Sequence, residues 1–318
     1  MGRLGNQLFQ YAFLRTYART LGRRFFCPKW LGDEIFLLNE GAKRGLTSEG
    51  IVDTYQEPED HTGYNAEVLE AGDGTEFRGF FQTAKYFDAD LVKKWYTFND
   101  RIRSVREKYR HLDFAESVGL HVRFGDMVSY PVAQALFYLP ENGFYARALE
   151  RVTHKDHVLV FSDEPRAAEQ HLSGVGGNFV FIEGNHDFED LYLMTLCHDF
   201  VCSASTFSWW GAFLNRHESR TIIAPREGPF RPGAPVHNED YWPEEWVLLE
   251  SLTRGRKDTY RSVLYRNLRA IWKERGSRSV LMLLLGSPPN QDSFIRWTLG
   301  GLRRRLRCIR NKSARAQS

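Results

Sequence analysis

The stretch FVCSASTFSWWGAFLN, from Phe200 to Asn215, contains the change of pattern on which the fold prediction rests. Its first three residues are apolar and have the composition of a short buried β-strand. Four hydroxyl residues follow within six positions, and an apolar segment of helical length then begins with two adjacent tryptophans. The stretch is therefore predicted to form a strand, a polar turn and a buried helix.

The same alternation recurs through the middle of the chain. Strands are predicted at Ser117–Val122, His157–Phe161, Phe179–Ile182, Phe200–Cys202 and Thr221–Ala224, and helices at Asn142–Val152, Glu164–Leu172, Asp187–Cys197 and Ser208–Arg216. Such alternation is typical of β-α-β units around a parallel sheet. Ligands of these sheets bind at the carboxyl ends of the strands, and polar residues follow nearly every predicted strand here.

The first hundred residues are predicted to form a second unit. The apolar residues between Gly5 and Leu21 have helical spacing, and Gly22 is expected to end that helix. Residues 25–27 follow as a short strand. The turn at Gly2–Gln7 looks like a strand-to-helix connection without its strand, so a missing first strand is expected; the alternative is a fold that tolerates its loss.

Composition and charge divide the chain further. Its 318 residues are 42% hydrophobic, which suits one large or two medium globular domains. The four cysteines lack metal-ligand spacing and favour a reducing compartment. No apolar run reaches membrane-spanning length, so no membrane-spanning helix is expected, and no signal peptide is expected either. Residues 252–318 carry 17 Lys or Arg and 3 Asp or Glu, whereas the rest carries 26 and 37, so a boundary is predicted near residue 250.

Two segments are candidates for binding an anion. Arg123 follows a buried strand beside a glycine, which suits a phosphate or carboxylate ligand; an internal ion pair with Asp126 is the alternative. His121 alone is more typical of a hydrogen-bonded core histidine. In the second segment, the hydroxyls of residues 203–208 lie at a helix N-terminus, where backbone N–H groups favour an anion. Ordinary N-capping is the alternative there, but it needs only one hydroxyl.

Two further features of the central helices have structural alternatives. Trp209, Trp210 and Phe213 are expected in the core, beneath the sheet. Asp190 lies in the first turn of a predicted helix, where a carboxylate complements the helix dipole. It could equally accept hydrogen bonds from a guanine or a ribose hydroxyl, and spacing alone leaves these roles open.

Together these segments resemble a known family, the alpha-1,2-fucosyltransferases of glycosyltransferase family 11. The resemblance lies in GRLGNQLFQYA (2–12), GFFQTAKYF (79–87), HVRFGD (121–126), FSDE (161–164), DLYLMTL (190–196), SASTFSWWGAFLN (203–215) and WPEEW (242–246). These resemble the family's GGLGNQMFQYA, GYFQSEKYF, HxRRxD, FSDD, DLYLMS and NSSFSWWGAWLN segments and its usual end. The tail from about residue 252 is not covered.

The resemblance implies an α/β protein of GT-B type, with two Rossmann-like domains facing a central cleft. Residues 1–115 would form the acceptor-side domain, 116–250 the domain that binds GDP-fucose, and 251–318 a basic amphipathic tail. The implied reaction is an inverting, metal-independent transfer of L-fucose from GDP-fucose to O2 of a terminal galactose, without a cofactor. Surface polysaccharide biosynthesis is the expected context.

The resemblance also implies roles for single residues. Arg123 would stabilise the β-phosphate as fucose leaves, and Asn6 would face the cleft near donor and acceptor. Donor contacts are expected from His121 and Asp190 to the guanosine, from Ser205, Thr206 and Ser208 to the phosphates, and from Asp126 as a brace of the arginine loop. No general base is identified.

The sequence departs from the family at Phe124, where a second arginine is usual. If that arginine contacts donor phosphate, its loss would cost about tenfold to a hundredfold in rate or affinity. Arg3, in the neighbouring turn, is the candidate for compensation.

The basic tail mixes Arg and Lys with apolar residues at helical spacing in Tyr260–Lys273 and Phe294–Arg310. We favour a helix on an anionic membrane surface over a solvated extension or nucleic-acid binding. A cytoplasmic enzyme, peripheral on the inner face of a bacterial membrane and acting on a lipid-linked acceptor, is the corresponding expectation. The competing hypotheses are another GDP-sugar transferase with a different acceptor and a non-catalytic sugar- or nucleotide-binding homologue.

Overall fold

The structure is a computed structural model that describes residues 2–41, 44–45, 50–58, 60–125, 131–153, 157–252 and 259–285. Its strands are β1 (Phe25–Phe26), β2 (Arg44–Gly45), β3 (Asp53–Gln56), β4 (Thr75–Arg78), β5 (Ser117–Val122), β6 (His157–Ser162), β7 (Phe179–Ile182), β8 (Asp199–Val201), β9 (Ile222–Pro225) and β10 (Val247–Leu249).

The α-helices are α1 (Leu4–Thr20), α2 (Gly32–Ile35), α3 (Ala89–Trp95), α4 (Asp100–Arg103), α5 (Pro131–Leu136), α6 (Asn142–Leu149), α7 (Pro165–His171), α8 (Asp187–Met194), α9 (Thr206–Phe213) and α10 (Tyr260–Leu285). Short 3-10 helices occur at Ala66–Glu70, Ala84–Tyr86, Ser104–Tyr109 and Phe114–Glu116. In the described part of the chain, no helix has the length and hydropathy required to cross a membrane.

Six strands form one parallel sheet in the order β10-β9-β8-β5-β6-β7. The predicted α/β class with a parallel sheet is therefore confirmed. β5 and β7 have the predicted bounds, and the other three predicted strands are shifted or extended by one residue. β10, at the edge of the sheet, was not predicted, because its three residues follow an aromatic segment without a clear periodic pattern.

The sheet lies between two apolar layers because its side chains alternate across the two faces. On one face, Val118, Leu120 and Val122 pack with buried residues of α6 and α7. On the other face, Leu159 and Phe161 pack with α8, α9 and α1. That second core continues into the N-terminal half, so it spans the boundary predicted at residue 115.

The two tryptophans of α9 connect the sheet to α1. Trp209 and Trp210 are fully buried, as predicted, and the ring of Phe9 on α1 packs against both at centroid distances of 4.6 and 4.9 Å. The indole Nε1 of Trp210 also donates to the carbonyl of Gly5 at 2.9 Å. The adjacent tryptophans thus hold the start of α1 beside the start of α9.

The N-terminal half contains two separate parallel strand pairs, β1-β2 and β3-β4. Parallel pairing is what a Rossmann-like unit would have, but one continuous sheet is not formed by the described residues. Gly22 ends α1 with a φ of +64°, as predicted. The division into two GT-B domains stays a prediction.

The described part of the tail packs on the body of the protein. Tyr260 and Val263 of α10 are buried in an apolar cluster with Leu136 and Phe230. The side-chain amide of Asn267 donates to the carbonyl of Pro131 and to Oε1 of Gln134, both at 2.9 Å. Residues 260–273 thus lie within a helix whose first turns dock against α5, whereas the basic tail as a whole stays a prediction. The second predicted tail segment, at 294–310, lies outside the described residues.

Candidate active site

A cavity of about 420 Å³ lies at the carboxyl ends of the sheet strands, where the loops after β5, β6, β7, β8 and β9 meet the start of α1. This is the position expected for the ligand site of a parallel α/β sheet. Seven of the nine predicted site residues line it: Arg3, Asn6, His121, Arg123, Asp190, Ser205 and Thr206.

The remaining two predicted residues have different outcomes. Ser208 does not line the cavity, because it is fully buried on the inner side of α9, where its hydroxyl accepts a hydrogen bond from Ser203 N at 3.0 Å. It fixes the turn before the helix. Asp126 lies outside the described residues, so its role as a brace stays a prediction.

Two helix N-termini converge on the cavity. The starts of α1 and α9 both contribute to its lining, and a Cβ added at Gly5 would lie 2.6 Å from Thr206 Oγ1 and 2.7 Å from Phe207 N. Gly5 therefore permits a backbone approach that a larger residue would prevent. Because helix N-termini present N–H groups and a positive dipole end, the arrangement favours an anion.

The capping of α9 uses one of the hydroxyls. Ser205 is the N-cap and accepts from Phe207 N at 3.3 Å, so α9 begins at Thr206, two residues before the predicted start. Ser203 contacts Nδ1 of His121 at 2.8 Å. Thr206 lines the cavity at the first turn of the helix. The four hydroxyls thus divide between cap, loop support and cavity wall.

Arg123 is held by Asp163, which follows β6. Its Nη1 lies 2.9 Å from Asp163 Oδ2, and Oδ1 of the same carboxylate accepts from Phe124 N at 2.9 Å. Both side chains are mostly buried, at 17% and 24% exposure. A Cβ at Gly125, where φ is +41°, would lie 2.7 Å from Asp163 Oδ2. The carboxylate therefore fixes the loop that presents the guanidinium to the cavity.

The ring of Phe124 is directed away from this cavity. It is buried in the apolar cluster beneath the sheet and meets His171 edge to face at a centroid distance of 6.0 Å. Phe124 does not contribute to the cavity lining. Phe124 at this motif position is therefore a core residue and does not contact the cavity. Arg3 is a second cationic side chain at the cavity wall, besides Arg123.

His121 is a buried histidine that borders the site. Burial lowers its pKa to about 4, although the nearby Asp163 carboxylate acts in the opposite direction. At neutral pH the imidazole is uncharged. Depending on its tautomer, its Nδ1 either accepts a hydrogen bond from the Ser203 hydroxyl or donates one to it. It is thus a neutral polar group of the cavity wall and adds no positive charge.

Asp190 lies in the first turn of α8 and receives a hydrogen bond from Asn185 Nδ2 at 2.8 Å. Burial raises its pKa to about 6, with smaller contributions from Glu189 and Asp187 in the same direction and from Asn185 in the opposite one. Asn185 is itself fixed, since its Nδ2 also donates to Tyr109 OH at 2.9 Å. The carboxylate is oriented into the cavity as an acceptor for N–H or O–H groups.

Asn6 is positioned by a chain of contacts that begins at Glu57. The carboxylate of Glu57 is buried and accepts from Phe80 N at 2.6 Å and Phe81 N at 3.0 Å, and Phe81 has a φ of +51°. The next residue, Gln82, donates through Nε2 to Asn6 Oδ1 at 3.0 Å. Burial raises the pKa of Glu57 to about 8, and the two N–H donors oppose that shift.

Four of these positions were not predicted as site residues: Glu57, Gln82, Asp163 and Asn185. Asp163 and Gln82 lie within the FSDE and GFFQTAKYF segments that resemble the family. The resemblance could therefore have marked these two residues as candidates, although the sequence does not reveal which residues they contact. Within the described residues, no group of three or more His, Cys, Asp or Glu side chains is placed to hold a metal ion.

The protein is therefore of the α/β class, and its sheet strand ends, two helix N-termini and an arginine meet in one cavity whose chemistry suits an anion. The sequence model of glycosyl transferase family 11 matches residues 1–250, and the chain belongs to this family. The α10 helix lies beyond the matched residues.

Three relatives at modest identity are similar to the chain. The O-antigen biosynthesis glycosyltransferase WbnK of Escherichia coli is 26% identical over 160 residues, which cover 46% of this chain and 53% of WbnK. The alpha-1,2-colitosyltransferase of Escherichia coli is 26% identical over 282 residues, which cover 78% of this chain and 97% of the colitosyltransferase. The galactoside alpha-(1,2)-fucosyltransferase 1 of Ateles belzebuth is 24% identical over 231 residues, which cover 67% of this chain and 63% of that fucosyltransferase. The chain thus spans between about half and nearly all of these relatives.

Proposed function

We propose that the protein transfers L-fucose from GDP-fucose to O2 of a terminal galactose, with inversion and without a metal, in surface polysaccharide biosynthesis. The observation that carries the proposal is the convergence of Arg123 and the N-termini of α1 and α9 on one cavity. A departing nucleoside diphosphate develops negative charge, and preorganised cations and N–H groups stabilise that charge in the transition state. The names of the relatives support transfer of a deoxy-sugar to a galactoside.

In this reaction each part of the cavity has one task. Arg123, held by Asp163, would bind the β-phosphate, and the first turn of α9 with Thr206 would bind the remaining phosphate oxygens. Asp190 would accept from the guanine N–H groups, and neutral His121 would contact the nucleoside. Asn6 would face the transferred sugar and its acceptor. Residues 1–115 would supply the acceptor side and 116–250 the donor side of a GT-B cleft.

A second candidate is transfer of colitose in place of fucose, because a relative of which the chain covers 97% is a colitosyltransferase. The two candidates share the cavity but differ in the donor sugar. A panel of GDP-sugars, with GDP release and product mass as readouts, separates them. Turnover of GDP-fucose at the highest kcat/KM supports the main proposal, and a preference for GDP-colitose supports the second candidate. Absence of turnover with every GDP-sugar contradicts both and favours a binding homologue.

We also propose that the outer face of α10 lies on an anionic membrane surface, close to a lipid-linked acceptor. Tyr265 and Trp272 are 67% and 58% exposed on this helix, and Arg261, Arg269 and Lys273 are exposed near them. Exposed aromatic residues beside cations are typical of interfacial helices, and each cation near anionic lipid contributes about 1 kcal/mol.

Sedimentation with phosphatidylglycerol vesicles tests this second role. The expected result is that Trp272→Ala weakens sedimentation, whereas Phe26→Ala, an exposed aromatic residue outside the helix at 41% exposure, leaves it unchanged. Equal sedimentation of the wild type with neutral and anionic vesicles would contradict the proposal.

A further inference from the structure

The cavity extends along the edge of the sheet in a defined order. Asp163 follows β6 and Asp190 lies beyond β7, so both belong to one end of the sheet, while Pro229 and Phe230 follow β9 towards the other end. Arg123 follows β5, which lies between β6 and β8. This inference rests on the proposed function. The residues proposed to bind the donor lie on the β7 side of the cavity and at its centre. The β9 side is left for a second substrate.

The β9 side has a different chemistry from the donor side. Phe137 and Phe230 both line the cavity there, and their rings stack at a centroid distance of 5.9 Å and an interplanar angle of 29°. Pro229 extends this apolar surface. Gln82, whose loop neighbour Phe80 packs in the same cluster as Phe230, adds an amide to the cavity wall.

An aromatic surface beside a few polar groups suits a pyranose ring. One face of galactose presents mainly C–H groups, which pack on aromatic carbon, and its edge presents hydroxyls that hydrogen-bond to amides. The described residues of this surface carry no cation for a diphosphate, and Asp190, which would bind the guanine, lies at the other end of the sheet. We propose that Phe137, Pro229 and Phe230 form the acceptor subsite, on which the terminal galactoside stacks. These three residues belong to the 116–250 segment, so the galactoside would lie between them and Asn6 of residues 1–115, and both segments would contribute to acceptor binding.

The wall of this subsite is supported by α10. Phe230 packs in one cluster with Tyr260 and Val263 of α10, and Phe137 packs against that cluster. Asn267 ties the same helix to α5, which ends directly before Phe137. The helix lies beyond the residues matched by the family. This chain therefore adds its own support to the acceptor side of the cavity.

The test compares acceptor and donor kinetics in Phe137→Ala, with Phe137→Tyr as the conservative variant. Phe137 is half-buried, so its removal is tolerated better than that of the buried Phe230. We expect the KM for a soluble β-galactoside to rise roughly threefold to tenfold in Phe137→Ala and to recover in Phe137→Tyr. The KM for GDP-fucose and its acceptor-free hydrolysis should be unchanged. Phe26→Ala, which removes an exposed aromatic side chain outside the cavity, is the matched control and should leave both KM values at the wild-type level.

The support of the wall is tested by Val263→Ala, which trims the contact of α10 with the cluster. The expected result is a rise of roughly twofold to fivefold in the acceptor KM with an unchanged donor KM, whereas a merely structural role would lower Tm alone. An acceptor KM unaffected by Phe137→Ala, or acceptor and donor KM values raised alike, would overturn the subsite while leaving the transferase intact. A wild type that neither transfers fucose nor hydrolyses GDP-fucose would refute the proposed function, and the subsite with it.

Discussion

The contact between Asp163 and Arg123 gives the sharpest prediction about the donor site. Asp163→Asn keeps the size of the side chain but replaces one carboxylate oxygen by an NH₂ group. Since Oδ2 contacts Arg123 and Oδ1 accepts from Phe124 N, an asparagine can satisfy only one of these donors. The ion pair between Arg123 and Asp163 is then lost.

The size of the effect follows from that bond. Charge-assisted hydrogen bonds contribute about 1.5–3 kcal/mol, which corresponds to about tenfold to a hundredfold in rate. The pair is mostly buried, at 17% and 24% exposure, so solvent screening reduces this value little. We expect kcat/KM for GDP-fucose to fall by that factor.

The assay is donor kinetics at a saturating acceptor concentration, together with thermal unfolding. Asp187→Asn is the matched control, because Asp187 also lines the cavity but is exposed, and its Oδ1 accepts only from Phe188 N among the described contacts. The fall should appear at every pH from 6 to 8, since His121, with a pKa of about 4, is neutral throughout that range. A lower Tm with unchanged kcat/KM would refute the argument that Asp163 positions Arg123.

The remaining predictions concern two carboxyl groups and one glycine. Because burial raises the pKa of Asp190 to about 6, GDP affinity measured by calorimetry should weaken as pH falls below 6, and Asp190→Asn should remove this dependence. Glu57 binds its proton more tightly in the folded protein, with a pKa of about 8 against 4.5, so the free energy of unfolding should decrease as pH rises between these values; Glu57→Gln should flatten that curve. Gly5→Ala should destabilise the fold by about 1–3 kcal/mol in urea unfolding, because its Cβ would overlap Thr206 and Phe207 N.

A specific result would contradict each of these three predictions. A pH-independent GDP affinity in the wild type would remove Asp190 from the donor site. An unfolding free energy that increases from pH 4.5 to 8 in the wild type but not in Glu57→Gln would show that the carboxylate form is the one the fold prefers. A Gly5→Ala protein as stable as the wild type would show that α1 and α9 can separate without cost, and Ala18→Gly, a change in the same helix away from the contact, serves as the reference for helix propensity.

The sequence predicts the central sheet well because its signals are local. Short apolar runs and helical periodicity identify β5 to β9 and the helices between them, and the polar residues after each strand identify the cavity edge. The start of α9 was misplaced by two residues, because hydroxyl residues serve both as helix caps and as first-turn residues, and only the contact from Ser205 to Phe207 N decides between them.

The contacts that organise the cavity could not be predicted in the same way. Asp163 reaches Arg123 from the neighbouring strand, and Glu57 acts on Asn6 through a loop more than twenty residues further along the chain. Ser208 was assigned to the phosphates by motif position, yet the helical turn directs its hydroxyl towards Ser203. Such contacts depend on tertiary packing, which the spacing of apolar residues along the sequence does not reveal.

The most direct test of the proposed function is transfer of labelled fucose from GDP-fucose to a panel of galactose-terminated acceptors, with Arg123→Ala measured alongside the wild type. We predict a product linked through O2 of galactose and a loss of transfer by at least tenfold in Arg123→Ala, with its Tm close to that of the wild type. Folded wild-type protein that neither transfers fucose nor releases GDP, or an Arg123→Ala variant as active as the wild type, would contradict the account.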